Sequence, residues 1–128
     1  MSYFHWGKMK KKILIVDDDW EMRSIEKTII ADIDDFEVIE ASNGKEAVDL
    51  LRYKAVDLLI TDVCMPEMNG IELVEKLRGS GFSIPIVVIS GTLDAYTRNI
   101  LRTHKQIQFI EKPFSMERLS NVVENLIN

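Results

Sequence analysis

The sequence has a single cysteine, Cys64, and no long apolar run among its 128 residues. One cysteine cannot form an internal disulfide, so the chain is not a small disulfide-stapled secreted domain and suits a reducing compartment. A membrane-spanning helix needs roughly 18 consecutive apolar residues, which the sequence lacks. Residues 1–7 do not combine a charged start with an apolar stretch, as a secretory signal peptide would. These absences predict a soluble, cytoplasmic protein without membrane contact.

The sequence also lacks an excess of positive charge. Its 16 lysines and arginines are outnumbered by 21 aspartates and glutamates, for a formal net charge of −5. Non-specific binding to nucleic acid depends on basic residues that neutralise phosphates, so we expect none from this chain. The basic run formed by Lys8 and residues 10–12 directly precedes an apolar segment. We interpret it as the solvated start of a strand rather than as a nucleic-acid patch.

What the sequence does contain is an alternation of short apolar runs with segments of helical period. A chain of this length is expected to form one domain. Runs rich in isoleucine and valine predict five strands, at residues 12–17, 36–40, 57–62, 85–90 and 107–112. The first, third and fourth are almost continuously apolar, as is typical of strands covered by helices on both faces. The second alternates with glutamates, which favours an edge position in a three-layer α/β/α sandwich.

The segments after the strands predict five amphipathic helices. Their apolar stripes, in chain order, are Met22, Ile25, Ile29 and Ile33; Ala47, Leu50 and Leu51; Ile71, Val74 and Leu77; Leu93, Tyr96 and Ile100; and Leu119, Val122, Val123, Leu126 and Ile127. The last stripe follows the helical spacing most closely. Ser115 is predicted to cap the fifth helix, and Asn43 with Glu46 resembles a capping box for the second.

Polar chemistry follows the apolar runs at four places. Residues 17–19 are three aspartates after the first strand, Asp62 ends the third, Ser90 ends the fourth and Lys112 ends the fifth. The carboxyl ends of parallel strands converge on one edge of a sheet, where ligands bind. A buried carboxylate is costly unless it is paired. The sequence therefore predicts one small site with carboxylates, a hydroxyl and an ammonium, suited to a divalent cation and a phosphoryl group.

In this order and context, these residues resemble the receiver domain of two-component response regulators, in particular the single-domain chemotaxis receivers. The resemblance covers residues 11–127 and leaves residues 1–10 as an N-terminal extension. It implies a flavodoxin-like, doubly wound, five-stranded parallel sheet with strand order 2-1-3-4-5. It also implies that Asp62 accepts a phosphoryl group from the phosphohistidine of a sensor histidine kinase or phosphotransfer protein.

The resemblance further implies a Mg²⁺ site made of Asp17, Asp18, Asp62 and the backbone carbonyl of Cys64. Elementary electrostatics agrees, because crowded carboxylates repel one another and a divalent cation relieves that repulsion. Mg²⁺ prefers hard oxygen ligands of this kind. Asp19 occupies a position that is not a ligand in the family, and we interpret it as the cap of the first helix.

Three further residues acquire switching roles through the resemblance. Lys112 is expected to pair with Asp62 or with its phosphate, and its bond to Pro113 is expected to be cis. Ser90 is expected to bond a phosphoryl oxygen, and Phe109 to turn inward as Ser90 moves. The surface of the fourth helix, fifth strand and fifth helix would then signal to an unknown output partner, or to a second copy in a phosphorylation-dependent homodimer.

Two other functions are compatible with parts of this pattern. A pseudo-receiver would act only as a protein-interaction module, and loss of an acidic or lysine position would indicate it; this chain keeps them all. A Mg²⁺-dependent phosphatase with an aspartate nucleophile would need a second general acid or base and usually a cap domain. The favoured interpretation is therefore not an enzyme but a switch that catalyses its own phosphotransfer and slow autodephosphorylation. Residues 103–108 lack the Gly-Ala pair of many receivers, so the register of the fourth helix and the partner's identity stay open.

Overall fold

The computed structural model describes residues 10–92 and 94–127. Leu93 and nearly all of the extension predicted at residues 1–10 lie outside the described residues. Five strands alternate with five helices in the described part of the chain. Their bounds are β1 Lys12–Val16, α1 Trp20–Ile33, β2 Glu37–Ala41, α2 Gly44–Leu51, β3 Leu58–Asp62, α3 Gly70–Gly79, β4 Ile86–Ser90, α4 Ala95–Arg102, β5 Ile107–Glu111 and α5 Met116–Ile127.

The strands form one parallel sheet in the order β2-β1-β3-β4-β5. This confirms the predicted strand order and the edge position of β2, and each strand begins and ends within one residue of its predicted bounds. Because all five strands run the same way, their carboxyl ends share one edge of the sheet. Asp62 pairs in register with Ile89, and Ser90 with Glu111, so the ends of β3, β4 and β5 lie side by side.

Helices cover both faces of the sheet. Side chains alternate between the faces along a strand, so Leu14 and Val16 of β1 enter one core cluster while Ile13 and Ile15 enter the other. Helices α2, α3 and α4 pack on the first cluster, and α1 and α5 on the second. This double cover is why β1, β3 and β4 are almost continuously apolar. No helix in the described ranges is both long and apolar enough to cross a membrane.

The predicted helix faces are confirmed for α5 but wrong in part for α1. Leu119, Val122, Val123 and Ile127 of α5 are buried. In α1, Ile25 is 51% exposed, whereas Glu26 is buried beside Ile29 and Ile30. Two stripes that share Met22, Ile29 and Ile33 and differ only in residue 25 or 26 both fit the helical period, and apolar character alone selects the one that contains Ile25. Packing against the sheet instead turns Glu26 inward.

The predicted stripe of α4 is also wrong. Tyr96 is 74% exposed, and the buried side chains of this helix are Thr97 and Leu101. A helix of eight residues has too few turns for periodicity to set its rotation, and the aromatic ring of Tyr96 weights the pattern towards the wrong face. Its partner in the predicted stripe, Ile100, is half-buried.

Capping side chains begin the helices largely as predicted. The Asp19 carboxylate accepts from the Glu21 amide at 2.9 Å, and the Ser115 hydroxyl accepts from the Arg118 amide at 3.0 Å. The predicted capping box of α2 is half formed: Asn43 accepts from the Glu46 amide, but the Glu46 carboxylate accepts from Ser42 instead of the Asn43 amide. A reciprocal capping box, which was not predicted, occurs at the start of α3 between Asn69 and Glu72.

Candidate functional site

Three carboxylates meet where β1 and β3 end. Asp17, Asp18 and Asp62 each offer an oxygen, and these oxygens lie within 4.8 Å of one another. Asp17 is 2% exposed, whereas Asp18 is exposed to solvent. The cluster is thus open on one side, and its hard oxygen donors could hold a metal ion of the Mg²⁺ type, which retains several waters when bound.

The electrostatics of Asp17 show that this end of the sheet concentrates negative charge. Burial raises the pKa of the Asp17 carboxyl, and repulsion from Asp62 and Asp18 raises the pKa further. A hydrogen bond from the Asp19 amide at 2.9 Å and the nearby Lys112 ammonium act in the opposite direction. A cation placed among these oxygens would relieve both the burial cost and the repulsion.

Asp62 lies between the other two carboxylates of the cluster and Lys112. One carboxylate oxygen, Oδ1, accepts from the Val63 amide at 2.7 Å, and the other, Oδ2, pairs with Lys112 Nζ at 3.3 Å. The side chain is 11% exposed, and the Lys112–Pro113 bond is cis, as expected. A carboxylate held at both oxygens and still reached by solvent has a defined orientation, as a nucleophile that attacks an incoming phosphorus requires.

The remaining predicted residues lie on β4, β5 and the loop after β3. Ser90 is buried, and its hydroxyl accepts from the Thr92 amide at 3.2 Å. The Ser90 carbonyl accepts from the Lys112 amide at 3.0 Å, which ties the ends of β4 and β5 together. Phe109 is half-buried against the core cluster beneath α4. Cys64 is exposed in the loop that follows Asp62.

Gly70 is a structural requirement of the site that was not predicted from the sequence. A Cβ atom at this position would lie 2.2 Å from the Asp62 carbonyl oxygen, closer than atoms can approach. The Gly70 amide also donates to the Val63 carbonyl at 2.9 Å. The absence of a side chain therefore lets the start of α3 fold back onto the strand end that carries Asp62.

Two charged residues of α1 that the sequence did not indicate interact with the site, Arg23 through a hydrogen bond and Glu26 through its charge. The Arg23 guanidinium donates to the Asp17 carbonyl at 2.6 Å and to the Glu40 carboxylate of β2 at 3.0 Å. Glu26 is 2% exposed, and burial, followed by repulsion from Asp17, raises the pKa of its carboxyl to about 8. The sequence signal for these two residues was their position close to Ile25, which suggested that charged side chains share this part of the helix with the apolar stripe.

Comparison with known proteins places this arrangement in a family. The sequence profile of the response regulator receiver domain matches residues 13–124. A chemotaxis protein CheY homolog of Campylobacter jejuni is 36% identical over 119 residues, which cover 91% of this chain and 92% of that protein. A protein-glutamate methylesterase/protein-glutamine glutaminase of Paramagnetospirillum magneticum is 37% identical over 105 residues, 81% of this chain and 29% of that protein.

A solved structure agrees with these sequence matches. The receiver domain of the Francisella response regulator 1452 superposes with a TM-score of 0.83 and 27% identity, over 92% of this chain and 97% of that chain. The present chain thus spans nearly all of one receiver-sized relative but 29% of the methylesterase, which is much longer. Fold, sequence profile and strand-end chemistry agree, and the chain belongs to the response regulator receiver domain family.

Proposed function

We propose that Asp62 is the phosphoryl acceptor of this domain. The observation that carries the proposal is the position of its carboxylate, which is bonded to Lys112 on one side and clustered with Asp17 and Asp18 on the other. In the transfer step, an Asp62 oxygen bonds to phosphorus while the bond from phosphorus to the donor imidazole nitrogen breaks. The electron pair of that bond stays on the nitrogen, and an acyl phosphate forms on Asp62.

The oxygen-rich cluster fits Mg²⁺, with Asp17, Asp18 and Asp62 as ligands and the Cys64 carbonyl as a fourth proposed ligand. Bound there, the ion would neutralise charge on the transferring phosphoryl group. Lys112 would supply a second positive charge to the same oxygens, since its ammonium already contacts Asp62. The carboxylate, the ammonium and the acidic pair thus have complementary roles in one transfer.

Ser90 and Phe109 are proposed to convert phosphorylation into a change of shape. The acyl phosphate carries about −1.5 to −2 charges where the free Asp62 carboxylate carried one. The Ser90 hydroxyl would donate to a phosphoryl oxygen, and Phe109 would fill the space that Ser90 vacates. The surface of α4, β5 and α5 would then change the way it meets an output partner or a second copy of the chain. A sensor histidine kinase or phosphotransfer protein in the cytoplasm is the proposed donor.

The two alternative functions lack comparable support. A pseudo-receiver that only binds partners does not require a carboxylate cluster, a paired nucleophile and a lysine at one edge of the sheet. A phosphatase needs a second acid or base that reaches the substrate, and Glu26, the carboxyl with the strongly raised pKa, is buried beneath the site. Phosphate release from small phosphomonoesters at steady state would favour the phosphatase.

The proposal is tested by the Asp62→Asn variant, incubated with acetyl phosphate and Mg²⁺. Intact-mass analysis should show one phosphoryl group on the parent, unstable to base, and none on the variant. Asp32→Asn, the same change at an exposed position of α1, is the matched control and should label like the parent. Undiminished labelling of Asp62→Asn would refute the assignment.

A further inference from the structure

A single arginine of α4 contacts both Phe109 and Glu111 of β5. The Arg98 guanidinium carbon lies 5.5 Å from the centroid of the Phe109 ring, within the range of a cation–π interaction. The same guanidinium forms an ion pair with the Glu111 carboxylate. Residues 109 and 111 lie on one face of the strand because side chains repeat every second residue. We refer to Arg98, Phe109 and Glu111 together as the Arg98 clamp.

The Arg98 clamp is more than a pair of solvated surface charges. The Arg98 side chain is 26% exposed, so its guanidinium is partly shielded from water on the Phe109 side. Such shielding strengthens a cation–π contact relative to one at a fully exposed site. Arg118 of α5 also donates to the Phe109 carbonyl at 3.3 Å. Phe109 is therefore held from α4 through its ring and from α5 through its backbone.

Helix α4 is weakly anchored apart from this clamp. Its buried side chains are Thr97 and Leu101, whereas α3 buries Leu73, Val74 and Leu77. A helix with little buried apolar surface moves at low cost. One partly shielded side chain that ties α4 to β5 can therefore have a large share in fixing the position of the helix.

We propose that Arg98 is a positioning residue that holds Phe109 and α4 in the resting arrangement and so opposes switching. This inference rests on the proposed role of Asp62. In the structure Lys112 pairs with the Asp62 carboxylate itself, and the Ser90 hydroxyl holds the Thr92 amide. Movement of Ser90 towards a phosphoryl group on Asp62 would carry the segment that leads into α4, and the Arg98 clamp would have to open. Because opening the clamp is coupled to binding, removing the clamp should strengthen the binding of a phosphoryl mimic at Asp62.

The experiment measures binding of beryllofluoride, a mimic of the phosphoryl group, at saturating Mg²⁺ by isothermal titration calorimetry. Arg98→Ala should bind beryllofluoride about fivefold more tightly than the parent, because one exposed ion pair and one cation–π contact together contribute about 1 kcal/mol. Its affinity for Mg²⁺ alone should not change. The matched control is Arg102→Ala, an exposed arginine one turn further along α4, which should bind like the parent.

A double-mutant cycle separates positioning from a merely structural role. In a Phe109→Leu background, the effect of Arg98→Ala on beryllofluoride affinity should be smaller, because the ring that Arg98 holds is gone and only the ion pair with Glu111 remains. Arg98→Lys, which keeps the charge but not the planar guanidinium, should fall between the parent and Arg98→Ala. Thermal unfolding of each variant shows whether a change in affinity merely follows a change in stability.

The possible failures are distinguishable. Equal affinities of Arg98→Ala and Arg102→Ala, weaker binding by Arg98→Ala, or an undiminished effect in the Phe109→Leu background would overturn the role of the clamp while leaving Asp62 as acceptor. A parent protein that does not bind beryllofluoride, or an Asp62→Asn variant that binds it equally well, would overturn the acceptor assignment and the clamp with it.

Discussion

The two halves of the sheet edge that carries the site differ in how tightly they are packed and bonded. In the half formed by β1, β3 and α1, Asp17 is buried, its carbonyl accepts from Arg23, and Gly70 packs against the Asp62 backbone. In the half formed by β4, β5 and α4, an exposed segment at residues 91–92 leads into a helix that buries two side chains. The carboxylates proposed for chemistry thus lie on the rigid half, whereas Lys112 and the groups proposed for switching lie on the more loosely held half. Elements that move are generally drawn from the less stable parts of a fold.

Removing the acidic pair from the rigid half should change metal binding more than any other substitution considered. Asp17→Ala/Asp18→Ala should weaken Mg²⁺ binding by about a hundredfold or more, because loss of groups that only support metal ligands already costs about 10–100-fold. The variant should nevertheless be as stable as the parent in metal-free buffer, or more stable, because the repulsion between carboxylates is relieved. Calorimetric titration and thermal unfolding test the two parts. A large loss of stability without metal would indicate that these carboxylates have a structural role instead.

The next effect concerns Glu26, the buried carboxyl of the rigid half. Its folded pKa of about 8 lies above the ordinary 4.5, so between these values the folded state keeps a proton that the unfolded state releases. The free energy of unfolding therefore decreases as pH rises through this window. Glu26→Gln, which cannot ionise, should be more stable than the parent at pH 9 by an amount on the order of 3 kcal/mol, and close to the parent near pH 5.

Denaturant unfolding at both pH values in metal-free buffer measures this difference. Glu75→Gln, the same change at an exposed position of α3, should not alter the pH dependence. If the stability gap between Glu26→Gln and the parent were the same at pH 5 and pH 9, ionisation of Glu26 would not be coupled to folding.

The smallest expected effect tests what holds the rigid half together. Arg23→Ala removes the bond to the Asp17 carbonyl and the pair with Glu40, and should cost about 1–2 kcal/mol of stability. Lys27→Ala removes a more exposed pair with the same Glu40 and should cost less than about 0.5 kcal/mol. Arg23→Ala should also weaken Mg²⁺ binding severalfold, while Lys27→Ala should not. Equal effects of the two variants on Mg²⁺ affinity would show that the contact with Asp17 does not position the acidic pair.

Much of the fold could be predicted because its signals are local. Short runs of isoleucine and valine such as residues 13–16 and 86–89 favour strands on the basis of the local sequence. Parallel strands then bring their ends together, so residues far apart in the chain, such as Asp17, Asp62 and Lys112, could be predicted to lie in one site. The structure places them there, with Lys112 at 3.3 Å from Asp62.

The rotation of the helices could not be predicted in the same way. Ile25 and Tyr96 were expected to face the core, yet both are exposed, and their neighbours Glu26 and Thr97 are buried. In each helix, two adjacent residues compete for one inward-facing position, and only contact with the sheet decides which of them is buried. The Arg98 clamp depends on such a decision, because it requires one face of α4 to lie over alternate residues of β5.

The order of elements, the edge at which the polar residues meet and the charge that they bring together could all be predicted from the sequence. These properties follow from apolar patterning and from the direction of parallel strands, and both are local or topological. Which charges are buried and which side chains touch depends on the packing of the elements: Glu26 is buried, Arg23 contacts the Asp17 carbonyl, and Arg98 lies over Phe109. Those contacts depend on angles and distances between packed elements, and many different packings share the same one-dimensional pattern.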